Sequence, residues 1–339
     1  MANIYDIARL AGVSIATVSK VINDRPDVSE KTKIRVRKIM EEENFMPNSV
    51  ARSLSLNQSK SIGILFNSSH EFGLHNLFFQ EVLFGVEKTL GNAGYDYVYF
   101  ADQKWHNLGN YDYLGKCKDR MVDGAILLGI HPDDSMKRLL ESDLPVVLID
   151  YLYTNETTTY VTSNNEYGGR RAAEYLHELG HRDVGMITGF VSVPAEQRSN
   201  GFMAGVKDFN LNCKEEWIVD ASFYEGGGYN AMKKILSMDK WPSAIFCHSD
   251  AIAIGAIKAI KEAGLRVPED FSIIGFDNIE ICKYITPALT TIKQDSYRIG
   301  ELAARQLLSM LNSPYIKLEP IVLDTELIIR ESCMEFKGA

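Results

Sequence analysis

Three groups of residues in this 339-residue chain have the types and spacing to do chemistry. The first is His177-Glu178-Leu179-Gly180-His181, a literal HExxH, in which two imidazoles one helical turn apart could share a zinc ion while the glutamate acts as a base. That use needs an unbroken helix, and Gly180 reads as its stop, because glycine adopts the left-handed conformation that ends helices without steric cost. His181 then lies past the end, ahead of Arg182-Asp183 and an apolar run, and cannot share a face with His177. The longer HExxHxxGxxH form fails too, with Val184 and Ile187 in its glycine and third-histidine places. No metal ligand, cofactor or catalytic residue is assigned, and an enzyme is not expected. The second group, Gly226-Gly227-Gly228, lacks the Lys-Ser/Thr of a phosphate-binding loop and reads as the opening of a helix over Tyr229 to Leu236. The third consists of polar residues near the ends of apolar runs: Asp277 in GFDN, Ser249 and Asp250 in FCHSD, Asp150 in VVLID, and Arg198 opening RSNGF. A carboxylate and a guanidinium facing one cleft can each grip adjacent hydroxyls through paired hydrogen bonds, as a sugar requires. Asp277, Arg198, Ser249 and Asp150 are therefore expected ligand contacts, whereas Asp250, ahead of AIAIGAIKAI, reads as a helix cap.

The elements that must position these groups alternate. Apolar runs at Ile62 to Phe66, Tyr95 to Phe100, Gly124 to Leu128, Val146 to Ile149, Val184 to Thr188, Ala244 to Cys247 and Ile273 to Phe276 are separated by helical patterns. Continuous apolar strands divided by helices predict α/β architecture, with parallel sheets covered on both faces. The series runs once before about Tyr160 and once after it, so two doubly wound subdomains around a cleft are expected, with ligands at the strand C-terminal ends. A helix after Thr290 and strands at Ile321 to Leu323 and Leu327 to Ile329 complete the pattern.

Asn3 to Asn23 is organised differently. Ile4, Ile7, Ala8 and Ala11 form one helical face, Gly12 supplies the stop, and Ser14 caps a second helix with Val18, Val21 and Ile22 inward. That leaves Ile15, Ala16, Thr17, Ser19 and Lys20 outside, with Asn23 closing the segment: a helix-turn-helix whose second helix could enter a major groove. A third helix, capped by Ser29 and with Ile34, Val36, Ile39 and Met40 as its apolar side, closes a small all-α head.

Charge agrees with that division. The chain carries −9 overall, but residues 1–60 hold ten Lys and Arg against seven Asp and Glu, leaving 26 against 38 for the rest. The basic run Lys31, Lys33, Arg35, Arg37 and Lys38 is expected to steer the head toward phosphates. Five cysteines, odd in number and without a CxxC pair, suit a reducing cytoplasm. No stretch approaches the ~18 apolar residues of a membrane span.

Farther along, Asn48-Ser49-Val50-Ala51-Arg52-Ser53-Leu54 sits between Pro47 and the polar stretch Asn57 to Lys60, too short to hold a helix alone. With AGVSIATVSKVIN, PNSVARSL, RMVDGAILL, PVVLID, ELGHRDVGMITG, RSNGFMAG, GLRVPEDFSIIGFDN and TPALTTIKQD in order, the whole chain resembles the lactose-repressor/galactose-repressor (LacI/GalR) family of bacterial transcription regulators. The resemblance implies a head over 1–46, a hinge helix and linker over 47–60, and a periplasmic-binding-protein-like core over 61–339. Within the core it implies one subdomain of about 61–161 plus 294–322 and another of about 162–293 plus 323–339. It further implies a hinge helix that folds when two copies pair on DNA, with Leu54 wedged into the minor groove and Arg52 and Asn48 at phosphate or groove edge. Phe223, at the family's aromatic position, would face a sugar ring or a base, and Ser69 and Phe79, with Ser68 and Phe78, would add contacts from the first lobe. The implied function is that of a repressor binding a pseudo-palindromic operator as a homodimer, controlled by a small molecule for which a saccharide is favoured. A purine effector, or a phosphorylated carrier protein bound at the core, stays open beside it. Two departures bear on the cleft: NSSHEFGLHNL over 67–77 is longer than the usual loop, and Ser163 stands where many members have aspartate.

Overall fold

The computed structural model describes residues 2–46, 58–66, 75–100, 112–129, 133–313 and 317–337. The expected hinge helix with Asn48, Arg52 and Leu54, and the loop residues Ser68 and Ser69, lie outside them.

The head is three short helices whose ends are set by local polar groups. Helix α1 (Ile4–Ala11) opens on a capping box, the Asn3 side chain accepting from the Asp6 backbone while the Asp6 carboxylate accepts from the Asn3 N–H, and Gly12 ends it at φ 63°. Helix α2 (Ile15–Ile22) is capped by Ser14 and α3 (Glu30–Glu42) by Ser29. Ile7, Ala8, Ala11, Val18, Val21 and Val36 are buried between them. One expectation for α3 is corrected: Ile34 is 65% exposed, and Lys33 is buried in its place. Asp24, in a left-handed turn after α2, draws the Lys33 ammonium inward at 3.0 Å and binds Arg37 at 2.7 Å, while Glu30 holds Lys33 at 3.3 Å. Part of the basic run is thus neutralised inside the head rather than presented to solvent.

The remainder of the described chain is built on two six-stranded sheets. The first joins β1 (Ser61–Phe66), β2 (Asp96–Phe100), β3 (Gly124–Leu128), β4 (Val146–Ile149), β5 (Thr158–Ser163) and, from the tail, β11 (Ile321–Leu323), in the order β11-β5-β4-β3-β1-β2. The second joins β6 (Val184–Thr188), β7 (Ile218–Asp220), β8 (Ala244–Cys247), β9 (Ser272–Asp277), β10 (Thr290–Lys293) and β12 (Glu326–Ile328), in the matching order β12-β10-β9-β8-β6-β7. The pairings of β1, β3, β4, β5 and β11 and of β6 through β10 are parallel, and β12 runs antiparallel to β10. The strands β5, β7 and β10 were not among the expected apolar runs; TTYVTS and TTIK are rich in hydroxyls, and IVD is only three residues long. Thr162 donates to Asp150 and Thr291 to Asp250, while the buried hydroxyls of Thr158, Thr159 and Ser163 have no partner among the described residues.

Helices cover the sheets as close pairs. They are α4 (Leu77–Asn92) with α11 (Ser296–Asn312), α7 (Asn165–Glu178) with α8 (Val193–Asp208), and α9 (Glu225–Leu236) with α10 (Asp250–Glu262); α5 (Tyr113–Asp119) and α6 (Asp134–Leu140) complete the set. Each pair meets at two glycines, Gly85 and Gly300, Gly169 and Gly201, Gly228 and Gly255. A Cβ on any of them would lie 1.9 to 2.2 Å from a backbone oxygen of the partner helix. The glycine run therefore lies inside α9, which begins at Glu225, four residues earlier than expected.

Candidate functional site

In the head, the N-terminal half of α2 is ordered by its cap. Ser14 Oγ accepts the Thr17 N–H at 3.1 Å and lies 2.9 Å from the Thr17 hydroxyl, while Ile15 and Ala16 stay exposed beside it. Ser19 is half-buried. Lys20 is exposed but already paired, its ammonium 2.5 Å from Asp27, which holds that carboxyl below its ordinary pKa. Asn23 caps the helix C-terminus, and its side-chain oxygen is buried without a partner among the described residues.

In the core, the strand ends bring several expected residues to one place. Asp277 closes β9 in a left-handed conformation at φ 114°, and Asp150 follows β4 at φ 62°. The Asp277 carboxylate accepts from the Gln294 amide at 2.7 Å and lies 3.6 Å from Arg198. Arg198 is an interior residue of α8, not the opening of a helix. Its Nε donates to Asn165 Oδ1 at 2.8 Å, its Nη1 to the His248 carbonyl at 2.5 Å, and its guanidinium lies 3.8 Å from the centre of the Phe276 ring. Burial pushes the Asp277 carboxyl up and works against the charge on Arg198; the ion pair opposes both effects. Asp150 is likewise raised by burial, partly offset by the Thr162 hydroxyl.

A cavity of about 300 Å³ opens among Phe223, Ser249 and Asp277 on the second sheet's side and His75, Asn76 and Leu77 at the start of α4. Three expected contacts therefore line it. Arg198, Asp150 and Phe79 do not: Arg198 and Asp150 are engaged behind it, and Phe79 packs edge-on against Phe66 at 4.9 Å. Phe223 stands against Phe190, edge to face at 4.9 Å, and directly over Gly189, where a Cβ would meet the ring at 2.0 Å.

Capping at α10 is also reassigned. Ser249 Oγ accepts the Ile252 N–H and serves as the cap, whereas the buried Asp250 carboxylate accepts from Thr291 at 2.5 Å and from the Ile279 N–H at 2.9 Å, tying β10 and the loop after β9 to the helix. Burial raises its pKa, with the Thr291 hydrogen bond opposing.

Reasoning from the sequence missed Gln294, Asn165 and the cavity residues Tyr224, Glu225 and Ile279. Gln294 alone carried a signal, as the polar residue that follows the apolar pattern in TIKQD.

The HELGH segment is structural. Gly180 sits at φ 83° after α7, and His181 turns into the interior, its ring nitrogens 2.8 Å from Ser243 Oγ and 2.9 Å from Ser272 Oγ. Burial lowers its pKa to about 4. His177 stacks on Phe209 instead, so the two imidazoles do not converge.

Residues 3–48 match the model of bacterial regulatory proteins of the lacI family, and 173–333 match a periplasmic binding protein-like domain. The chain is 36% identical to the HTH-type transcriptional repressor PurR of Mannheimia succiniciproducens, over 98% of both chains. Among solved structures it resembles the lac repressor dimer bound to operator and the anti-inducer ONPF, with 25% identity, a TM-score of 0.83, and coverage of 98% of this chain and 99% of that one. It also resembles the transcriptional regulator CelR in complex with cellobiose, with 27% identity, a TM-score of 0.73, and coverage of 98% and 100%. Among the described residues no helix is long and apolar enough to cross a membrane.

Proposed function

The chain belongs to the lacI family of bacterial regulatory proteins and is a DNA-binding transcriptional repressor, and from that premise we propose that it acts as a homodimer on a pseudo-palindromic operator, with a saccharide in its core cleft setting operator affinity. The observation that carries the effector assignment is the convergence of Phe223, Ser249 and Asp277 on one cavity. An aromatic face suits the apolar face of a sugar ring, and a carboxylate with a hydroxyl suits its hydroxyl edge. The cellobiose complex of a relative supports the same ligand class.

On the DNA side, Ile15, Ala16 and Thr17 offer methyl groups to thymine, and Ser19, Lys20 and Asn23 offer hydrogen bonds to base edges or phosphates. Residues 47–60 form the hinge, in which Leu54 unstacks a base step at a cost of a few kcal/mol and Asn48 and Arg52 hold the flanking backbone. The effector acts by linkage. A ligand that changes how the two lobes close moves the hinge ends, and operator affinity shifts by about 1 to 3 kcal/mol.

A thermal-shift screen of mono- and disaccharides tests the assignment, since a ligand of the native state raises the melting temperature. The best ligand is then added to an anisotropy titration of operator duplex. A saccharide that moves both readings supports the proposal. A shift by purines with none by saccharides overturns the effector class.

A further inference from the structure

We propose that His248 is a positioning residue for the effector, holding two walls of the cleft without touching what binds there; this rests on the reading of the cavity at Phe223 and Asp277 as the effector site. His248 directly follows β8 and precedes Ser249, which lines the cavity, yet its own side chain is fully buried behind that lining. The sheet fixes its backbone, the His248 N–H donating to the Ile187 carbonyl at 3.0 Å. From there it reaches to both sides. The His248 carbonyl accepts from Arg198 Nη1, and Arg198 in turn stands 3.6 Å from the Asp277 carboxylate. The ring's Nδ1 accepts the N–H of Gly189, the residue just past the end of β6, at 3.3 Å. Gly189 is the surface on which the Phe223 ring rests, so close that a Cβ there would meet the ring at 2.0 Å.

The imidazole can do this because one tautomer satisfies all its neighbours. Nδ1 must be bare to accept from Gly189, which puts the proton of a neutral ring on Nε2. Nε2 faces two acceptors, Met186 Sδ at 3.3 Å and Ser199 Oγ at 3.4 Å. Burial, and after it the Arg198 guanidinium, lowers the imidazole pKa to about 3, which keeps the ring neutral. Without an acceptor at Nδ1 the buried Gly189 N–H would be unpaired, a cost the backbone escapes by moving, and Phe223 would lose its backing.

The test separates the two ring nitrogens in the full-length protein. An asparagine side chain carries its amide oxygen where Nδ1 stands, whereas a glutamine reaches to the place of Nε2. In calorimetric titration with the saccharide selected by the screen above, His248→Asn is expected to bind within about threefold of the parent and His248→Gln about tenfold more weakly, about 1.4 kcal/mol. Amide exchange at Gly189 in the effector-free protein is expected to stay slow in His248→Asn and to quicken in His248→Gln. Equal affinity in all three proteins, or losses in both variants that merely follow their melting temperatures, overturns the positioning role while the saccharide reading stands. A parent protein that binds no saccharide overturns that reading instead. The hold on Gly189 is then decided by exchange alone, and equal exchange in His248→Gln and the parent overturns it.

Discussion

Gly189→Ala isolates the contact that shapes the cavity wall. The new Cβ would stand 2.0, 2.1 and 2.5 Å from three carbons of the Phe223 ring. Carbon atoms rest at roughly 3.5 to 4.0 Å, so the ring must retreat by about 1.5 Å. Phe190 closes one side of Phe223 and the cavity leaves the other open, so the ring yields into the space assigned to the effector. Overpacking of this kind costs about 1 to 3 kcal/mol, and the open side places this site at the lower end. Effector affinity should fall at least tenfold, about 1.4 kcal/mol, while operator binding without effector is unchanged. Urea denaturation, calorimetric titration and operator anisotropy read the three quantities. Placing Gly189→Ala in a Phe223→Ala background supplies the control. With the ring gone the clash is gone, and the stability cost should shrink to within about 0.5 kcal/mol of zero. An equal cost in both backgrounds would refute the steric reasoning, as would unaltered effector affinity in the single variant.

Acid should unfold the core through its buried histidines. His181 is lowered to about 4 and His248 to about 3. The unfolded chain, with imidazoles near 6.5, therefore binds more protons, and stability is full above about pH 6.5 and drains as pH falls toward the folded values. For His181 the interval corresponds to about 3 kcal/mol, and urea midpoints of His181→Gln should depend less on pH between about 7 and 5 than those of the parent. Asp277→Asn should abolish the effector-induced thermal shift yet leave effector-free operator affinity intact; a normal shift removes Asp277 from the contact set. Ser14→Ala should destabilise α2 by about 1 kcal/mol and weaken DNA binding, read by amide exchange at Thr17 and by anisotropy; unchanged exchange means the cap is dispensable. Leu54→Ala should weaken operator binding while the core keeps its melting temperature and effector shift, and equal operator affinity would end the wedge assignment.

What could be read from the chain alone is what depends on neighbours in sequence. The caps at Ser14 and Ser29 and the stop at Gly12 act within three or four residues, so the helix-turn-helix was legible before any tertiary contact was known. Apolar runs such as VVLI and AIFC bury both faces and announced the parallel sheets. Gly180 likewise disposed of the zinc motif by breaking its helix locally.

Tertiary structure decided the cases in which a polar residue is acceptable inside only because a distant partner satisfies it. Lys33 replaced Ile34 in the head because Asp24, nine positions earlier, reaches its ammonium. Thr162 of β5 and Thr291 of β10 are held inside because Asp150 and Asp250 receive their hydroxyls. Arg198 was drawn behind the cavity by the His248 carbonyl and Asn165, 50 and 33 positions away. Local signals fix backbone conformation because they cost and gain free energy within one turn. The orientation of a buried charge depends on long-range hydrogen bonds that spacing along the chain does not encode.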